Sequence, residues 1–130
     1  MLSNHIQNSI IAINSANPKT KSILIILGLI DNCYGFSIFD TGSEFQLDTL
    51  LQLGEKEITT HKGGSGIGFM TTFELAKNYH ASILIEENNP TLSKYTKSVS
   101  IKFDNKNDYK IISYRANDLV QMYTDNKIII

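Results

Sequence analysis

Residues 63–73 read GGSGIGFMTTF, a run rich in glycine followed by residues suited to open a helix. Glycine reaches positive φ without strain and lets the backbone come close to a ligand. The spacing predicts a helix from about Phe69 to Tyr79, with Phe69, Phe73 and Ala76 on its buried face. The free N–H groups and positive dipole end of that helix point back at the run, so an anion is its natural occupant. The run is not a Walker loop, because no Gly-Lys-Ser/Thr follows. Nor is it a dinucleotide fingerprint, because polar loop rather than strand precedes it. Taken alone, it reads equally well as a flexible joint into a helix.

Upstream lies the least regular part of the chain, Ser43 to Lys62, within which Gln46 to Leu53 could form a short helix. A long connection of this kind is usually functional or mobile. Before it stands Asp40-Thr41-Gly42, at the end of a strand expected over 36–40. A carboxylate there can accept a hydrogen bond from the exocyclic amine of adenine, whereas guanine presents a carbonyl at that position. Asp-x-Gly is also a common turn. The apolar, β-branched stretch 22–30 reads as a buried strand, and Asp31 to Gly35 as the turn joining it to 36–40 in a hairpin.

Residues 2–16 read as a helix, with Leu2, Ile6, Ile10 and Ile13 at helical spacing and a stop before Pro18. At ~100° per residue, Asn4, Asn8, Ile11 and Ser15 share a face opposite the Leu2/Ile6/Ile13 stripe. An asparagine oxygen is a suitable neutral ligand for Mg²⁺ beside phosphates, although a solvated polar face has the same pattern. Downstream, strands are expected at 82–87, 98–104 and 109–114, the last two joined by a tight hairpin turn at Asn105 to Asp108. In 98–104, Val99, Ile101 and Phe103 alternate with Ser98, Ser100 and Lys102. In the tail, Asn117 to Tyr123 reads as a short capped helix and Lys127 to Ile130 as a strand. This order predicts an α+β fold with helices packed on one face of a largely antiparallel sheet.

The bulk properties narrow the function. The 130 residues fit one domain, and 42% hydrophobic with 19% charged residues argues against disorder. A net charge of −1 gives no basic field for nucleic acid. The single cysteine, Cys33, suits a reducing compartment and reads as a small turn residue. No apolar run approaches the ~18–20 residues of a membrane span, so no direct membrane contact is expected.

In order, these motifs resemble those of the Bergerat-fold, or GHKL, ATPases. Asn4-His5-Ile6-Gln7-Asn8 is similar to their N box, Asp40-Thr41-Gly42 to their first glycine box, and Gly64-Ser65-Gly66-Ile67-Gly68 to their second. The resemblance is nearest to the catalytic domain of sensor histidine kinases, especially the quorum-sensing type of low-GC Gram-positive bacteria. The gyrase, heat-shock chaperone and mismatch-repair branches usually carry a catalytic Glu where this chain has Asn4.

The resemblance implies a two-layer α/β sandwich with a mixed, mostly antiparallel sheet, forming a single ATP-binding domain over residues 1–130. By motif, Asn8 is the Mg²⁺ ligand and Asn4 a neighbour of the phosphates. Asp40 bonds adenine, and Gly42 lets the nucleotide approach. Gly64, Ser65, Gly66, Ile67 and Gly68 hold the phosphates and hinge a lid over 43–62. Lys62, and after it Lys56 and His61, can meet phosphate charge. The implied cofactors are ATP and Mg²⁺. The implied partners are a dimerisation domain carrying the phosphoacceptor histidine and a response regulator, on the cytoplasmic side of any membrane-anchored parent.

Two departures accompany the resemblance. Glu44 stands where the first glycine box has a second glycine, placing a carboxylate near the expected nucleotide. The strand and helix that precede the N box in the family are missing, which suggests a fragment, or a sheet edge covered by the 115–130 tail or a second chain. None of His5, His61 and His80 is placed to accept a phosphoryl group. The alternatives are a GHKL serine kinase of the anti-sigma-factor kind and a degenerate nucleotide-binding or interaction module without activity.

Overall fold

The computed structural model describes residues 2–45 and 65–115, with only the backbone course given for 65–70. The elements are α1 (Leu2–Ala16), β1 (Ile23–Ile30), β2 (Cys33–Asp40), α2 (Ser65–Tyr79), β3 (Ser82–Glu87), β4 (Lys97–Lys102) and β5 (Tyr109–Ser113). The strands make one sheet in the order β1-β2-β4-β3-β5. Its pairs are antiparallel except β3 with β5, which is parallel. This is an α+β, two-layer arrangement of two helices on a mixed sheet. No described helix is long and apolar enough to cross a membrane. The 46–53 helix, the 117–123 helix and the 127–130 strand expected from the sequence lie outside the described residues.

Both helices end by chemistry local to their last turns. Asn17 takes a φ of 46° and donates its N–H to the Ile13 carbonyl, and Pro18 then blocks continuation. At the end of α2, His80 takes a φ of 54°. The Ala81 N–H reaches the Ala76 carbonyl and the His80 N–H that of Lys77, which is a Schellman cap.

The core lies between sheet and helices. Phe36 and Ile38 of β2, Ile83 and Ile85 of β3, and Val99 and Ile101 of β4 are buried with Ala76 and Ala81. The registers Ile38↔Val99 and Ile85↔Val99 put these side chains on one face. Ser37 and Ser100 hydrogen-bond to each other on the opposite face. On α2, Thr72 and Ala76 are buried, and Phe73 meets the Tyr109 ring edge-on at 5.0 Å.

Four expectations change. The β1–β2 turn is only Asp31-Asn32, both at positive φ, as a two-residue hairpin of type I′ requires. Cys33 therefore begins the return strand and is not a turn residue. Second, β1 is not buried. It has one sheet neighbour among the described residues, and Leu24, Ile25, Ile26, Leu27 and Leu29 are exposed. An uninterrupted apolar run carries no alternation, so its pattern does not tell a central strand from an edge.

Third, 105–108 does not join paired strands. The chain passes over the start of β3, where Ser82 Oγ donates to Asp104 and accepts from the Asp108 N–H, so β5 lies beyond β3. Phe103 falls outside β4 and is exposed. Fourth, α2 begins at Ser65, so Gly66, Ile67 and Gly68 belong to its first turn and not to a preceding loop. Glycine is penalised mainly in helix interiors, where it would break the run of good helix formers.

Leu27 is 67% exposed on β1. Leu27→Lys is expected to change the unfolding free energy by no more than about 0.5 kcal/mol, measured by urea denaturation. A loss of about 2–5 kcal/mol, as for a core leucine, would show that this strand is covered.

Candidate functional site

The site is built around the last residue of β2. Asp40 is 3% exposed. Ser9 Oγ of α1 donates to its Oδ2 at 2.8 Å. The Gly42 N–H donates to Oδ1 at 2.9 Å, and Lys97 Nζ of β4 to the same oxygen at 2.7 Å. Buried charge is tolerated only when paired and hydrogen-bonded, and Asp40 has both kinds of partner. Lys97 also donates to the Ser43 carbonyl at 2.9 Å.

The turn after Asp40 is fixed on both sides. Thr96 Oγ1 donates to the Gly42 carbonyl and the Ser43 N–H to the Ala12 carbonyl of α1. A Cβ on Gly42 would stand 2.5 Å from the Ala12 carbonyl carbon and 2.6 Å from the Ile13 nitrogen. In this structure, then, glycine at 42 lets the chain press against helix α1. The sequence reading assigned it to nucleotide approach.

Between α1 and the sheet is a cavity of about 20 Å³. Asn8 and Ser9 line it from α1, Asp40 and Lys97 from the strands, and Ile38, Phe45 and Val99 supply apolar lining. About 10–15 Å³ suffices for one water, so the cavity as it stands takes roughly that much. Asn8 Nδ2 is buried and has no hydrogen-bond partner among the described residues. An orphaned buried donor at a cavity wall points to a missing partner there.

Of the residues expected from the sequence, Asn8 and Asp40 share this cavity. Asn4 is half-buried and does not line it. Ser65, Gly66, Ile67 and Gly68 form the first turn of α2, where backbone N–H groups lack intrahelical partners. Lys56, His61, Lys62, Gly63 and Gly64, and most of the 43–62 lid, lie outside the described residues. Glu44 does not face the cavity. Its carboxylate hydrogen-bonds the Tyr114 hydroxyl, which is pushed up to about 12 by that bond, and lies 3.5 Å from Arg115 Nε.

Ser9, Lys97, Glu87 and Arg115 are additions to the sequence reading. Lys97 had a signal: two residues before inward-facing Val99, it falls on the same face as the core. Ser9 had none, since a serine beside two asparagines on a polar helix face looks solvated. Glu87 has a fully buried side chain and accepts from Arg115 Nη2 at 2.7 Å and from the Phe45 N–H at 3.0 Å. Arg115 Nη2 also donates to the Phe45 carbonyl. His5 is buried too, with Nε2 2.7 Å from Thr72 Oγ1, tying α1 to α2. Burial lowers its pKa to about 4.

Two outcomes follow from these contacts. Gly42→Ala is expected to cost roughly 1–3 kcal/mol by overpacking, read as a lower urea midpoint; an unchanged midpoint refutes the close-approach role. His5 stays neutral in the folded chain but gains a proton in the unfolded chain below its ordinary pKa of 6.5. Its contribution is therefore complete above pH 6.5 and is lost as pH falls toward 4, by about 2 kcal/mol between pH 7 and 5. His5→Gln should remove that part of the slope, and an identical pH profile for variant and wild type would contradict it.

Comparison with family models, with curated proteins and with solved structures finds no match to this chain.

Proposed function

We propose that this chain is a GHKL-type, Bergerat-fold ATP-binding domain that presents MgATP for phosphoryl transfer to a histidine on a separate dimerisation domain of a sensor kinase, on the cytoplasmic side. The observation that carries the reading is the buried Asp40 carboxylate at the end of β2, sharing a cavity with Asn8 of α1. Its Oδ2 accepts one hydrogen bond among the described residues, from Ser9. A carboxylate oxygen has about two acceptor sites, so one is left for the exocyclic amine of adenine.

The donor and acceptor set fits an adenine edge, while the volume does not until Phe45 leaves the cavity wall. Asn8 would hold Mg²⁺ through its amide oxygen. Among the described residues no three His, Cys, Asp or Glu side chains converge on a metal site, which suits an ion carried in with the phosphates. When bound, the ion supplies charge neutralisation to the phosphate oxygens. The first turn of α2 offers backbone N–H groups to the same anion. Phosphoryl transfer asks chiefly for positioning and charge stabilisation. The acceptor histidine and the response regulator are supplied by other domains or chains.

A second reading, a nucleotide-binding module that no longer binds, is favoured by the small cavity and by Lys97 lying against Asp40. Calorimetric titration with MgATP separates the two. The wild type is expected to bind, and Asp40→Asn to weaken binding about tenfold, the weight of a hydrogen bond to a charged group. Circular dichroism of the variant would establish that it is folded. Absence of binding by the wild type, or undiminished binding by a folded Asp40→Asn, would favour the second reading.

A further inference from the structure

Lys97 is a charged side chain on the core face of the sheet and only 6% exposed. Lysine is almost never buried this far unless paired. Its pairing with Asp40 explains part of its position, since the two residues are direct cross-strand partners and the Nζ–Oδ1 distance is 2.7 Å. An ammonium has three N–H donors. Two are used, by Asp40 Oδ1 and the Ser43 carbonyl. Beyond them Nζ faces the ring of Phe45, 5.5 Å from its centroid, and Lys97 lines the same cavity as Asn8. An ammonium can be attracted by a π face, but an acceptor lone pair satisfies its third N–H more fully.

Among the described residues, the cavity therefore presents an acceptor site left on Asp40 Oδ2 next to a donor left on Lys97 Nζ. Adenine has the complementary edge, an N6 amine that donates beside an N1 lone pair that accepts. We propose that Lys97 is a second base-reading residue, donating to N1 of adenine while Asp40 accepts from the N6 amine. This rests on the ATP reading above and adds to it a specificity determinant that acts through charge. Guanine offers the reverse order, an O6 acceptor beside an N1–H donor. It meets both groups only with its ring turned over relative to adenine, which carries the sugar attachment to the other side.

The deciding comparison uses wild-type chain and ligands altered at one group, and circular dichroism establishes that the Lys97→Met variant used beside it is folded. Calorimetric affinities are compared for MgATP, for 1-deaza-ATP, in which a C–H replaces N1, and for purine riboside triphosphate, which lacks the N6 amine. Each analogue is expected to bind about tenfold more weakly than ATP, as for loss of one charge-assisted hydrogen bond. In Lys97→Met the penalty for 1-deaza-ATP should vanish while that for purine riboside triphosphate persists. Equal binding of ATP and 1-deaza-ATP by the wild type overturns the role of Lys97, and the ATP reading then survives if purine riboside triphosphate is still discriminated against. Tighter MgATP binding by Lys97→Met also overturns it, since the lysine would then obstruct the base. No binding of MgATP at all overturns both.

Discussion

The buried carboxylate of Asp40 is the constraint around which the rest of the site is arranged. A charge taken out of water at this depth must recover its hydration from protein donors. The donors come from three separate places: Ser9 on α1, the Gly42 N–H one turn on, and Lys97 on β4. Each constrains something larger than itself. Ser9 fixes the rotation of α1 about its axis, and with it the direction in which Asn8 points. The Gly42 bond sets the turn that leaves β2, and the missing Cβ at that position sets how near α1 lies. Lys97 holds β4 in register with the end of β2. Removal of either charge would leave the other buried and unpaired, a far larger penalty than the pair's net contribution to stability.

A second buried pair acts on the same short stretch of chain from the other side. Glu87, at the end of β3, is gripped by two of the three nitrogens of the planar Arg115 guanidinium, Nε and Nη2, a geometry lysine does not offer. The two residues also take the Phe45 N–H and carbonyl. Lys97 meanwhile holds the Ser43 carbonyl. Residues 43–45 are therefore fixed by two ion pairs rooted in different strands. Buried ion pairs are weak evidence for stability, and here their geometric effect is plain: they determine where the chain stands as it leaves Phe45. The same arrangement answers the concern raised by Glu44, whose carboxylate turns toward Tyr114 and Arg115 and away from the cavity.

Much of the fold was legible because its signals are local. Helical spacing and Pro18 placed α1, alternation at Val99 and Ile101 placed β4, and the stretch Asp31 to Gly35 marked a chain reversal, though longer than the two-residue turn that forms. What was not legible is what depends on neighbours distant in sequence. The run Ile23–Ile30 has the same apolar character at an edge as in a centre, and only the sheet order decides. The turn at 105–108 reverses the chain equally well into an adjacent strand or past it, and Ser82 binding Asp104 selects the second. In the site, Asn8 and Asp40 could be read because a motif joins them. Ser9 and Arg115 could not, because a hydroxyl or guanidinium reveals its partner only once the chain has folded. Lys97 lies between these cases: the alternation that placed Val99 inward also places a cation inward two residues earlier, a conflict that should itself mark a site.

The small cavity bears directly on how a base would enter. Phe45 is the wall that must yield, yet its backbone is held at both the N–H and the carbonyl by Glu87 and Arg115. Displacing that backbone would leave a buried carboxylate and a guanidinium short of partners, at a cost of two hydrogen bonds to charged groups. Rotation of the phenyl ring about its side-chain torsions breaks none of them. Under the proposed ATP reading the motion required would be a rotamer change, and an adenine ring replacing the phenyl would bring with it a π system and an N1 lone pair. Lys97 Nζ would exchange contact with an aromatic face for a directed hydrogen bond. If the chain binds a nucleotide as proposed, any fraction of molecules with Phe45 inward would lower the apparent affinity by that fraction, so the strength of binding would be set jointly by the ring's preference and by the Asp40–Lys97 pair beside it.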